Sequence, residues 1–254
     1  MTYEKNKVDR LDVKIFKTRT EMGIAAAKEA ANYLRELGKK KDEINILFAA
    51  APSQDDIYGA LIKEKEIPWD KINAMQLDDY IGINSNAPQR FANYLKSHIF
   101  DHVPIKQVLM INSENSCIED ELERYNEILK NHPVDISFIG IGENGHIAFN
   151  DPSVADFDDE KSIKIVELEE ASQIQQVNDG CFERVEDVPK KALTVTIPAI
   201  LKAERVFCVV PCSTKADSVR DTLNEEITTK HPATILRKHV NATLYLDTNS
   251  AAKL

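Results

Sequence analysis

The chain has 254 residues, 43% of them hydrophobic, and sets 42 acidic against 32 basic side chains for a net charge of −10. That length can bury a full α/β core, and the acidic balance excludes a nucleic-acid surface, which needs a basic stripe. No run approaches the roughly 20 apolar residues of a membrane span, and the opening MTYEKNKVDR has no apolar signal region, so a cytoplasmic location is expected.

In chain order, Thr18-Arg-Thr-Glu21 fits a capping box, and Met22, Ala26, Ala30, Tyr33 and Leu37 recur on one helical face until Gly38, read as a C′ glycine. INILFAA (44–50) reads as a buried strand, and SQDDIYGALIKE as the following helix with Ser53 at its cap. INAMQL (72–77) is a strand ending at Asp78-Asp79-Tyr80. VLMI (108–111), DISFIGI (135–141), ALTVTI (192–197), RVFCVV (205–210) and TLYLD (243–247) complete the strands, with helices near 118–131 and 213–225. Alternating strands and helices predict one α/β domain over residues 1–254. Its expected architecture is a doubly wound, mostly parallel sheet with helices on both faces, a Rossmann-like three-layer sandwich. Cys117, Cys181, Cys208 and Cys212 are scattered, and Cys208 and Cys212 lack a second Cys or His pair at zinc-site spacing, so no metal site is expected.

GIGENGHIAFNDP (140–152) follows a strand and contains the pattern G-x-G-x-x-G. A dinucleotide site requires the third glycine to open a helix against the sheet. Here Pro152 comes too soon, the stretch from Asp156 to Glu160 is acidic, and no strand ending in an acidic residue follows at the expected distance. A catalytic reading fits better. The glycines admit close backbone approach, His146 is a side-chain type suited to proton transfer, and Asp151 stands five residues on, where it can orient the ring. Alone, such a pair is more often a structural hydrogen bond. A second carboxylate cluster, DDY, at another strand end favours chemistry.

LDDYIGI and GIGENGHIAFNDP resemble motifs of the glucosamine-6-phosphate deaminase (isomerase) family, related to the 6-phosphogluconolactonases. VPKKALTVTIPAILKAERV, STKADSVRDTL and HPATILRKH extend the likeness collinearly over roughly residues 10 to 247. The resemblance implies conversion of glucosamine 6-phosphate and water to fructose 6-phosphate and ammonia, with no cofactor or metal. It makes Asp78 the base between C2 and C1, and His146 the acid that opens the sugar ring. Asp151, where Glu is usual, supports His146, and Asn144 orients it. Asp79 becomes a substrate contact, as does Gly145. The implied partner is a small sugar phosphate, with neither nucleic acid nor membrane. A homo-oligomer is left open.

The departures fall on phosphate recognition. The family's glycine-bearing turn is replaced by AAAPSQDD, where Ser53 and Gln54 become the candidate contacts and Asp55 and Asp56 fill the first helical turn. Gly180 stands about where a lid arginine belongs, with Arg184 four residues later. Lys215 matches the family lysine. Arg90, beside DDY, reads either as a replacement phosphate cation or as a surface arginine at a helix start. The acidic stretch DDEKSIKIVE predicts no allosteric amino-sugar-phosphate site. Two alternatives remain open: a 6-phosphogluconolactonase-like hydrolase, and a catalytically impaired sugar-phosphate sensor.

Overall fold

A computed structural model describes residues 3–254. Strands β1 (Tyr3–Val8) and β2 (Leu11–Phe16) form a hairpin, followed by α1 (Arg19–Gly38), β3 (Ile44–Phe48), α2 (Asp55–Leu61), β4 (Ile72–Gln76) and β5 (Asp78–Tyr80). Next come α3 (Phe91–His98), β6 (Gln107–Leu109), α4 (Ile118–Asn131), β7 (Ile136–Ile139) and β8 (Ile163–Glu167). The C-terminal part contains α5 (Glu170–Asn178), β9 (Lys191–Val195), α6 (Ile197–Leu201), β10 (Arg205–Val210), α7 (Ala216–Asn224) and β11 (Ala242–Asp247).

The main sheet has eight strands in the order β1-β2-β11-β10-β7-β3-β4-β6. Every neighbouring pair is parallel except β1–β2. Both faces are covered, as a parallel sheet requires. Along β3, Ile46 and Phe48 join the core under α1 and α2, whereas Leu47 joins the opposite core with Tyr125 of α4 and Val219 of α7. On the first face, Phe48, Phe138, Phe207 and Tyr245 stack across four adjacent strands at 5.4, 5.4 and 6.1 Å between ring centres. Such pairs add to the burial energy of the rings themselves.

Three sequence-level expectations need correction. Gly38 is the last residue of α1 and has no positive φ; a Cβ there would lie 2.6 Å from Pro68 Cγ, so packing against Pro68 demands the glycine. Ser53 does not cap α2: residues Pro52–Gln54 form a separate 3-10 turn, and α2 begins at Asp55 without a side-chain cap. Finally, DDY and ALTVTI do not extend the main sheet. They pair as β5 and β9 in a three-stranded antiparallel sheet, order β5-β9-β8. Thr18 does cap α1, its side chain accepting from the Glu21 amide at 3.1 Å.

β3 continues outward to β4 and β6, while β7 leads the other way to β10 and β11. The strand order therefore reverses between β3 and β7. At such a point the loops beyond the strand C-termini diverge and leave a crevice.

Candidate active site

That crevice is a cavity of about 310 Å³. Its lining comes from residues 49–53 after β3, 77–78 after β4, 140–142 after β7 and 211–215 after β10, closed by α5 residues. Two non-glycine residues with positive φ, Ala148 (52°) and Cys212 (79°), line it as well. Backbone held in that region costs energy and gathers at functional sites.

The glycines of the 140–145 loop have steric roles. A Cβ on Gly142 would lie 2.2 to 2.4 Å from three His146 ring atoms, so the imidazole lies directly over that residue. Gly145 holds φ +86°, which closes the turn between the Gly142 carbonyl and the Gly145 amide at 3.0 Å. Gly140 lets the 52–54 turn approach, since a Cβ would meet Ser53 Oγ at 3.2 Å. After Gly145 the chain forms an isolated bridge between Ile147 and Asn150 instead of a helix. Asn150 pins this bend by donating to the Ile147 and Val195 carbonyls, each at 2.9 Å.

His146 is 7% exposed, and its Nδ1 faces three oxygens: Asn144 Oδ1 at 2.8 Å, Ser172 Oγ at 2.9 Å and Asp151 Oδ1 at 3.1 Å. Asn144 donates its own amide to Asp151 at 2.9 Å, and the Ser172 hydroxyl donates to the same carboxylate oxygen. All three groups around Nδ1 therefore present acceptors. Nδ1 carries the hydrogen, and Nε2 is the nitrogen left for a ligand. Burial raises the Asp151 carboxyl, but hydrogen bonding and charge from His146, with bonds from Asn144 and Ser172, outweigh it and hold the group below its ordinary value.

Asp78 contrasts with Asp151. It is 6% exposed, lines the cavity, and its carboxylate has no hydrogen-bond partner among the described residues. Burial, with the neighbouring Asp79 charge, pushes the Asp78 carboxyl well above the usual carboxylate range. A carboxylate so placed can accept a proton from carbon and return it.

Asp79 turns the other way and is fully buried. It accepts from the Tyr80 and Phe91 amides at 2.9 and 3.2 Å, and from Gln76 and Arg90 at 3.2 and 3.4 Å. It anchors β5 to α3 and does not line the cavity, contrary to its expected role as a substrate contact. Arg90 lies outside the lining too: it is committed to Asp79 and to the Ile111 carbonyl at 3.3 Å, and does not reach the site as a phosphate cation. Gln54 is fully buried beneath Ser53, with its amide directed at Ser53 Oγ, Ile139 O and Val209 O. Gly145 packs on the 231–233 segment, its carbonyl accepting from the Ala233 amide at 2.9 Å. Each of these is a support beneath or behind the cavity.

Ser53 and Lys215 do line the cavity, together with Asp78 and His146. Lys215 is 5% exposed, and its Nζ has no hydrogen-bond partner among the described residues. Burial lowers its pKa, opposed by the charges of Asp179, Glu143 and Cys212. Arg19, Ser172, Gln175, Gln176 and Asp179 went unread in the sequence. Arg19 carries no motif beyond the capping box around it, and α5 buries Ser172, Gln175 and Gln176 in place of a hydrophobic stripe. Among the described residues, no three or more His, Cys, Asp or Glu converge to hold a metal ion.

Residues 17–245 match the family model for glucosamine-6-phosphate isomerases/6-phosphogluconolactonase. The chain belongs to this family. Within it, a glucosamine-6-phosphate deaminase of Bacillus cereus is 34% identical over 237 residues, covering 93% of this chain and 87% of the relative. One of Streptococcus suis is 34% identical over 231 residues, covering 91% and 96%. A monomeric glucosamine-6-phosphate deaminase of solved structure superposes with a TM-score of 0.85 at 28% identity, covering 95% of this chain and 99% of the other. A 6-phosphogluconolactonase from Thermotoga maritima shares the fold, with a TM-score of 0.75 at 15% identity over 92% and 98% of the two chains.

Proposed function

We propose that the protein is an isomerising deaminase of an amino-sugar phosphate, converting glucosamine 6-phosphate and water to fructose 6-phosphate and ammonia. The observation that carries this reading is the pairing of Asp78 with His146 in one cavity. Asp78 is a carboxylate without a partner among the described residues, and His146 is locked through Nδ1 by three acceptors.

In this reading His146, protonated on Nε2, delivers a proton to the ring oxygen as the anomeric hydroxyl gives up its own to solvent, and the bond between C1 and the ring oxygen breaks to open the sugar. Asp151 stabilises the imidazolium. Asp78 then removes the proton from C2 of the open-chain aldehyde while the C1 oxygen takes up a proton given up by the amine, and returns a proton to C1, moving the unsaturation from the C1 carbonyl to the C2–N bond. Water adds at C2, the C2–N bond breaks, and ammonia leaves with the ketose phosphate as the other product. Each step uses a group held beside the substrate without reorganisation, the arrangement in which general acid–base catalysis is effective. Hydrolysis of a lactone has no carbon-bound proton to move and leaves Asp78 without work. The 6-phosphogluconolactonase-like alternative is therefore less well supported than the deaminase.

The test is substrate comparison. Ammonia release from glucosamine 6-phosphate is expected, with 6-phosphogluconolactone hydrolysed no faster than in buffer. Lactone turnover without ammonia release would transfer the protein to the other branch of its family.

A further inference from the structure

We propose that Arg19 is the second phosphate cation of this site, acting with Lys215, and that Asp56 holds its guanidinium in place. The assignment rests on the sugar-phosphate reading above and supplies what the missing glycine turn and lid arginine left open.

Arg19 opens α1, far from Lys215 in sequence, yet both line the same cavity. Its Nε donates to Asp56 Oδ2 at 2.5 Å, and its Nη2 donates to the Pro52 carbonyl at 2.9 Å. Among the described residues, Nη1 has only the Cys212 thiol, a weak acceptor 3.8 Å away. A guanidinium has five N–H donors, so a fork remains for an anion after these contacts are counted. Pro52 belongs to the turn after β3 and Cys212 to the turn before Lys215, so Arg19 bridges the two segments flanking the cavity. The hydroxyl-bearing Ser53 and Thr214 line it beside them.

Charge makes the second cation necessary. Lys215 feels the carboxylates of Asp179 and Glu143, and Asp179 lines the cavity itself. An anion held by Lys215 alone would share the cavity with the Asp179 carboxylate. Arg19 adds a guanidinium charge, paired through Nε with Asp56, which Thr20 also ties at 3.2 Å.

Arg19→Met alone would leave Asp56 uncompensated beside the cavity, so the test compares Asp56→Asn with Arg19→Met/Asp56→Asn, and adds Arg19→Lys. Two readouts are used: KM and kcat for glucosamine 6-phosphate, and protection against thermal unfolding by inorganic phosphate. Loss of one charge-assisted contact is expected to raise KM about 10- to 100-fold in the double variant, with kcat within about threefold. Phosphate protection should disappear in the double variant, persist in Asp56→Asn and be partial in Arg19→Lys. Unchanged KM and unchanged protection in the double variant would overturn the assignment, as would a wild type that phosphate does not protect. If the wild type deaminates nothing while phosphate protection still depends on Arg19, the deaminase reading fails and the Arg19 assignment stands.

Discussion

The cavity is built from two kinds of residue. Around His146 Nδ1 every polar atom is spoken for, and Nε2 alone faces the ligand: Asn144, Asp151 and Ser172 bond to the ring and to one another, and Gly142 leaves room for the ring. Around Lys215 the ammonium is buried without a hydrogen-bond partner among the described residues, and Arg19 keeps donors in reserve. The first region is finished before a ligand arrives. The second is completed by one. In the proposed enzyme the contrast separates turnover from affinity: bonds within the first region set geometry for proton transfer, and unused donors in the second set what is bound.

The strongest way to break this division is Asp78→Asn. Expected is a fall in kcat of about 10²- to 10⁴-fold with KM nearly unchanged, read from steady-state ammonia release. A rise in KM with kcat preserved would put Asp78 among the binding residues. The same variant has a pH signature. In the folded wild type the Asp78 carboxyl lies well above its ordinary value. Its contribution to stability is present below about pH 4 and is lost as pH rises through the raised folded value. Asn suffers no such loss. Denaturation should find Asp78→Asn more stable than wild type at neutral pH, with the gap closing in acid.

Gly142→Ala sharpens the division by displacing the ring without replacing any titratable residue. The added methyl would sit 2.2 Å from a His146 ring atom. A shift of roughly 1 Å in a catalytic group is expected to cost about 100-fold in kcat, with phosphate protection retained. Loss of both would mean that the two regions share one support.

Ser172→Ala is the smallest effect. Removing a hydroxyl between Asp151 and His146 Nδ1 deletes a neutral hydrogen bond, for about a three- to tenfold drop in kcat. Ser172→Thr should recover part of it. A positioning role predicts a shifted pH profile of kcat as well, which a purely structural loss would not give.

Most of the main sheet was legible because its central strands are continuous apolar runs. β1, β2 and β8 were not, for LDVKIF and KSIKIVE alternate apolar and charged residues in sheets whose edges face water. α5 escaped because it faces a polar cavity and its buried residues are Ser172, Gln175 and Gln176, which make no hydrophobic stripe. The His loop and DDY could be read because each concentrates its chemistry within a few residues. Even so, the motif resemblance puts both Asp78, as the base, and Asp79, as a contact, at the substrate. Adjacent strand residues point to opposite sides, and only the fold decides which carboxylate meets the cavity and which is tied to Arg90. Arg19 joins Lys215 across most of the chain length, a proximity that no local pattern encodes.

The most direct test of the central claim is ammonia release from glucosamine 6-phosphate by wild type and Asp78→Asn, with unphosphorylated glucosamine alongside. Turnover of the phosphorylated sugar by wild type is predicted, with little from glucosamine and a collapse in Asp78→Asn. Equal turnover of both sugars, or activity indifferent to Asp78, would contradict an enzyme that binds phosphate at one end of its cavity and moves a proton at the other.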